Sequence, residues 1–239
     1  MSIKSKVLAA AATVTLVGGV SAVGLMPAHA STDSCGKGCF TTYGQEYGTP
    51  FVLDVLRQGE KAGQPIILFR ASNSDPAEDF TILDQDTVAG YFAAGLVSKA
   101  LNYHYTADEA YEVEYSPYGV DSGLCVGTAT TPGNGTPVAL EPCGTNSGTV
   151  WVVDATDGIA GPPAFYPLIS GADTNFADPF VLHYPGSAYP TDVPRAQLNT
   201  WGLQQYSGGT VYDNEMWDGL LPAPPAPNPI PTITPTGLG

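Results

Sequence analysis

The side chains able to do chemistry are few. Apart from an N-terminal segment that reads as removable, only His104 and His183 remain as imidazole bases. Neither stands in a G-x-S-x-G or H-E-x-x-H context, and spacing marks no nucleophile beside them, so no motif supports nucleophilic or zinc-dependent hydrolysis. Carboxylates are plentiful. Asp84 with Asp86, and Asp108 with Glu109, Glu112 and Glu114, are the densest groups. Two carboxylates can hydrolyse a glycosidic bond, but such partners are distant in sequence and leave no local signature. The close spacing here reads instead as a solvated, mutually repelling face. Calcium ligation is the alternative, although no twelve-residue Ca²⁺ loop is present.

The chain that must position these groups has 239 residues, 43% of them apolar and 13% charged, which suits one domain with a sizeable core. Eight Lys plus Arg against 23 Asp plus Glu give a net charge of −15. Such a surface repels nucleic acid and anionic lipid, so neither is an expected partner. Gly (28) and Pro (22) oppose helices and suit turns between short strands, which points to an all-β fold.

Residues 1–30 read as a cleavable signal peptide: Lys4 and Lys6 precede an apolar stretch (7–26), and Ala28-His29-Ala30 offers a small-x-small cleavage site. The expected product is secreted, with no membrane segment after cleavage, and folds over 31–221. Residues 222–239 carry seven prolines with neither charge nor aromatic ring, and read as a flexible tail or spacer. Export favours disulfides. Cys35 with Cys39 would close a small loop and Cys125 with Cys143 a larger one, the latter contributing roughly 3 kcal/mol through loop-closure entropy. A four-thiolate metal site is the rival, and the spacings lack the paired geometry of zinc knuckles. Asn134-Gly135-Thr136 fits a glycosylation sequon and precedes Pro137.

Internal repetition is the strongest signal. Three segments share an apolar strand, a polar loop, a second apolar strand and a closing aromatic residue. The first runs Pro50-Phe51-Val52-Leu53-Asp54-Val55, then Gln64-Pro65-Ile66-Ile67-Leu68-Phe69, then Asp79-Phe80-Thr81. The second runs Gly123-Leu124-Cys125-Val126-Gly127, then Thr136-Pro137-Val138-Ala139-Leu140, then Val150-Trp151-Val152. The third runs Pro179-Phe180-Val181-Leu182-His183, then Ala196-Gln197-Leu198, then Asn214-Glu215-Met216-Trp217. An aromatic strand precedes each, giving twelve expected strands. Extra sequence at 91–110 is predicted as one short helix or a long hairpin, and the loop at 184–195 is enlarged.

These segments resemble the ricin-type β-trefoil lectins, whose signature is a Q-x-W triplet repeated three times. The likeness covers about 39–221 and is best at 123–151, where Cys125 and Cys143 stand at the family's intra-repeat disulfide. It departs at the triplets, which carry Glu78, Thr149 and Glu215 in place of glutamine, and Phe80 in place of one tryptophan. The resemblance implies a β-trefoil of three four-stranded repeats, with Phe80, Trp151 and Trp217 meeting at its centre. In such lectins an acid on the first strand accepts sugar hydroxyls, a ring on the second stacks on the pyranose, and an amide from the closing triplet completes the pocket.

Carried onto this chain, the resemblance gives Asp54 and Phe69 as acid and ring in the first unit, with Ile67 and Ala77 in place of polar partners. The second unit has Gly127 and Glu141 there and reads as spent. The third has His183 for the acid, keeps Gln197 and Asn214, and has Asn199 at the ring position. The expected ligand residues are therefore Asp54, Phe69, Gln197 and Asn214. The expected function is a secreted, non-catalytic, monomeric carbohydrate-binding module that takes a glycan without cofactor or metal. Two other readings stand beside it: an interaction or inhibitor protein whose loops, bearing Tyr103, Tyr105, Tyr184 and Tyr189, bind another protein, and a glycoside hydrolase.

Overall fold

The computed structural model describes residues 41–42, 51–72, 75–159, 164–185, 196–205 and 207–218. The expected signal peptide, the Cys35–Cys39 loop and the Pro-rich tail lie outside the described residues. No helix among the described residues is long and apolar enough to cross a membrane.

Runs rich in β-branched and aromatic residues form the strands, because such side chains pack well on a pleated surface. The first unit contains β1 (Thr41–Thr42), β2 (Phe51–Val55), β3 (Ile66–Arg70) and β4 (Phe80–Thr87). The second contains β5 (Glu109–Tyr115), β6 (Leu124–Gly127), β7 (Thr136–Pro137), β8 (Ala139–Pro142) and β9 (Val150–Val153). The third contains β10 (Leu168–Ser170), β11 (Phe180–His183), β12 (Asn199–Gly202) and β13 (Trp217–Asp218).

Equivalent seams join the units. The last strand of each pairs antiparallel with the first of the next: β4 with β5, β9 with β10, and β13 with β1. The hairpins β2–β3, β6–β8 and β11–β12 share one register, in which Asp54 faces Ile67, Gly127 faces Ala139 and His183 faces Asn199. They meet in a closed ring of main-chain hydrogen bonds. Ile66 N–H donates to the Val138 carbonyl (3.2 Å), Val138 N–H to Leu198 (2.9 Å), and Leu198 N–H back to Ile66 (2.9 Å). The chain is a β-trefoil.

Phe80, Trp151 and Trp217 are fully buried in one core cluster, as the resemblance implied. Each tryptophan also ties its ring to a hairpin: Trp151 Nε1–H donates to the Val126 carbonyl (2.9 Å) and Trp217 Nε1–H to that of Leu182 (2.8 Å). Phe80 has no donor and packs instead against Tyr115, with ring centroids 5.7 Å apart. The Cys125–Cys143 bridge ties β6 to the turn after β8.

The insertion is neither one helix nor a plain hairpin. β4 continues beyond the core to Thr87 and pairs with β5, and two short helices, α1 (Val88–Ala93) and α2 (Lys99–Tyr105), fold over its tip. Thr87 and Ser98 cap them through hydroxyls that accept from Gly90 N–H (3.2 Å) and Leu101 N–H (3.2 Å). Val88, Tyr91, Leu101 and Tyr105 pack with Val150, Val152, Ile169 and Val181 in a second core. Tyr105 is therefore not a free loop tyrosine, because it shares the apolar face of α2 with Leu101, four residues earlier. Tyr184 is also buried, Tyr103 is exposed, and Tyr189 lies outside the described residues.

Candidate functional site

In the first unit, the β2–β3 register sets Asp54 beside Ile67, and strand alternation puts Phe69 on the same face. A 3-10 turn (Pro76–Glu78) closes one side. Together they line an open cavity of about 450 Å³. Phe69 is half-buried and stays outside the main core cluster, so part of its ring faces the cavity. Asp54 is only 5% exposed. Ala77 lines the wall as well and offers no polar side chain.

Asp75 is a wall residue that sequence reasoning missed. Its Oδ1 accepts from Ala77 N–H (3.0 Å) and from Gln58 Nε2–H (2.9 Å), which fixes a carboxylate on the cavity wall. A capping Asp before Pro76 was the available signal. Arg57 and Gln58 reach the rim from a turn with left-handed backbone (φ 59° and 54°). One ligand atom from each of Asp54, Asp75 and Glu78 lies within 4.8 Å of the others, a spacing at which a cation could be held. Glu78 is fully buried and accepts from Ser72 N–H (3.0 and 2.8 Å). Burial, aided by the nearby Asp54 charge, pushes its pKa up to about 7.

In the second unit the corresponding space is filled. A Cβ on Gly127 would stand 2.7 Å from the Gly148 carbonyl oxygen and 2.9 Å from Thr149 Cγ2. An acid cannot enter without moving backbone, which agrees with the expectation of a spent repeat.

In the third unit the ring of main-chain bonds aligns Leu198 with Ile66, so Phe69 corresponds to Trp201 and Ile67 to Asn199. The ring position is therefore Trp201, a correction to the expectation of Asn199. Sequence spacing slipped by two residues because the cap fixes the register through contacts distant in the chain. Trp201 is half-buried and stacks on His183 (centroids 5.5 Å, 30°).

His183 Nδ1 lies 2.7 Å from Asn199 Oδ1, and its Nε2 lies 2.9 Å from Asn214 Nδ2. An amide oxygen only accepts and an amide nitrogen only donates, so the imidazole is neutral with its proton on Nδ1. Burial lowers its pKa, in keeping with that state. Asn214 also donates to the Tyr184 carbonyl (3.3 Å). Gln197 is exposed and donates to the Val138 carbonyl (3.2 Å), beside Ile67 across an isolated bridge. The expected ligand residues thus divide: Asp54 and Phe69 share a cavity, Asn214 belongs to the His183 network, and Gln197 lines neither, although its backbone is bridged to Ile67 of the cavity wall.

The acidic run on β5 is not a solvated face, contrary to its reading from spacing. Tyr111, Val113 and Tyr115 of this central strand point into the core, and the alternate residues Glu112 and Glu114 face the other way, where they too are buried and meet backbone N–H groups of adjoining turns. Glu114 accepts from Gly123 N–H (2.7 Å), and Glu112 from Gly144 N–H (2.9 Å) and the Thr149 hydroxyl. These bonds parallel those of Glu78 to Ser72 and of Glu215 to Gln204 N–H (2.8 Å). Thr149 is too short to reach the loop, so Glu112 supplies the carboxylate from the neighbouring strand. Asp84 and Asp86 are exposed as expected.

No known protein family matches the sequence, and no curated protein does. Among solved structures the fold is similar to the designed 3-fold symmetric protein ThreeFoil, with TM-score 0.45 and 15% identity over 75% of this chain and 95% of that one. It is also similar to part of a mosquitocidal holotoxin, with TM-score 0.44 and 9% identity over 75% of this chain and 16% of the toxin chain.

Proposed function

We propose that this protein is a secreted, non-catalytic carbohydrate-binding module whose first unit holds the sugar. The observation that carries this reading is the convergence of Asp54, Asp75 and the half-buried ring of Phe69 on one open cavity. A carboxylate accepts two hydroxyl protons of a neutral polyol, and a ring covers the apolar C–H face of a pyranose. Asp75 supplies acceptor capacity where Ala77 supplies none.

The test is glycan-array binding of the full chain, followed by calorimetry on the best ligand. Saturable binding that falls at least tenfold, about 1.4 kcal/mol, in Asp54→Ala and in Phe69→Ala supports the proposal. A blank array, or binding untouched in variants whose melting temperature shows them folded, overturns it. Protein interaction is the second reading. It is favoured by the outward rings of Tyr103 (82% exposed) and Tyr118 (79% exposed).

A further inference from the structure

A second cavity, of about 390 Å³, opens between α2, the turn after β9 and the turn before β11. None of its walls belongs to the sugar-site positions, and Tyr105 comes from the insertion. Three carboxylates line it: Asp154, Asp157 and Asp178. Asp154 is 4% exposed, and its Oδ1 is held by Thr156 N–H (3.0 Å) and Asp157 N–H (3.2 Å). Its Oδ2 accepts from no donor among the described residues. Asp157 Oδ2 accepts only from Gln205 Nε2–H (3.2 Å), and no ion pair to these carboxylates occurs among the described residues.

An independent observation also points to a ligand. Tyr105 is 8% exposed, its ring packs into the second core, and it lines the cavity. Its hydroxyl has no hydrogen-bond partner among the described residues, and Asp154 and Asp157 are the charges that act on it most strongly. In a side chain otherwise enclosed, the hydroxyl is left without a protein partner on the cavity wall, available to a group that enters. The outer wall is Phe176, with the His104 ring stacked on it (4.9 Å, 18°).

The geometry points to an organic cation, a guanidinium group, as the occupant. A bare metal ion suits the cavity poorly: among the described residues, only Asp54, Asp75 and Glu78 bring three ligand atoms within 4.8 Å of one another. Asp154, Asp157 and Asp178 are spread more widely. A planar fork of five N–H donors spans separated carboxylates and stacks on an aromatic face, as an ammonium point charge does not. The chain's net charge of −15 adds long-range attraction. The same guanidinium could come from a free small molecule or from an arginine side chain of a peptide.

The experiment is calorimetric titration of the full chain with agmatine, with the peptide acetyl-Gly-Arg-Gly-amide, with its uncharged citrulline counterpart, and with calcium chloride. Saturable binding of either guanidinium probe, at least tenfold tighter than the citrulline peptide and than Ca²⁺, is the expected result. The tighter of the two names the source. Asp178→Asn, at an exposed position that the fold does not need, should weaken it at least threefold, and Asp154→Asn at least tenfold. No saturable binding of either probe, equal binding of the citrulline peptide, tighter binding of Ca²⁺, or unchanged affinity in Asp178→Asn overturns the proposal. Because Asp54→Ala leaves this cavity intact, the guanidinium test stands or fails independently of the sugar site.

Discussion

The first and third units have the same hairpin register and opposite losses. The first keeps an acid, Asp54, and a ring, Phe69, but has apolar Ile67 and Ala77 where polar partners belong. The third keeps a ring, Trp201, and two amides, Asn199 and Asn214, but has His183 in the acid's place. The outcomes differ because imidazole can both donate and accept. In the third unit His183 bonds one end of each amide, so the polar groups are tied to one another, although the buried Asn214 Oδ1 has no partner among the described residues. In the first unit Asp54, Asp75 and Phe69 line an open cavity of about 450 Å³. An incomplete set of polar residues can therefore leave a more available cavity than a fuller set whose members bond each other.

The comparison can be strained at three points. The largest effect is expected from pH. Glu78 and Glu215, in the first and third units, are buried carboxyls with pKa values pushed up to about 7 and about 8. A carboxyl whose folded pKa lies above its unfolded value stabilises the fold fully below about pH 4.5, and that contribution is lost as pH rises through the folded pKa. Denaturant unfolding should show stability falling by about 3 kcal/mol for each group between pH 4.5 and 8. Glu78→Gln with Glu215→Gln should flatten the curve. The second unit has Thr149, which does not titrate, at this position. His183 works in the other direction: burial lowers its pKa, so its contribution is present above about pH 6.5 and is lost as pH falls.

Next in size, His183→Ala should cost about 2–3 kcal/mol and lower the melting temperature, since it removes a hydrogen-bond partner from each of Asn199 and Asn214 and leaves a void beside Trp201. Glycan affinity should not change, because the first unit carries the site. Equal loss of binding in this variant would show instead that the third unit is the working one. Smallest is Gly127→Asp, which gives the second unit an acid at the position that Asp54 holds in the first. Overpacking against Gly148 and Thr149 should cost about 1–2 kcal/mol in thermal unfolding, with no second glycan stoichiometry by calorimetry.

Much of this was legible in the sequence wherever the determining interactions are local. Alternating apolar runs marked the hairpins, the three closing aromatics marked the centre, and Cys125 with Cys143 marked one bridge. Asp54 and Phe69 were readable together because register alone brings them onto one face. Trp201 was missed because its alignment depends on Leu198 bonding to Ile66, a contact that no neighbouring residue announces. Glu112 and Glu114 were misread because charge density says nothing about which backbone N–H groups a buried carboxylate will meet. The two helices of the insertion were blurred because each is a short segment that gains its stability from the sheet beneath it.

The closed ring joining Ile66, Val138 and Leu198 is made of peptide groups, and the side chains it links are buried in the core, so it places no demand on the residues at the surface of each lobe. Each lobe can exchange its surface residues, lose a pocket or acquire a new one while the other two keep their alignment. A laboratory wishing to transplant a recognition loop onto this frame should therefore cut between hairpins and leave those three amides in place.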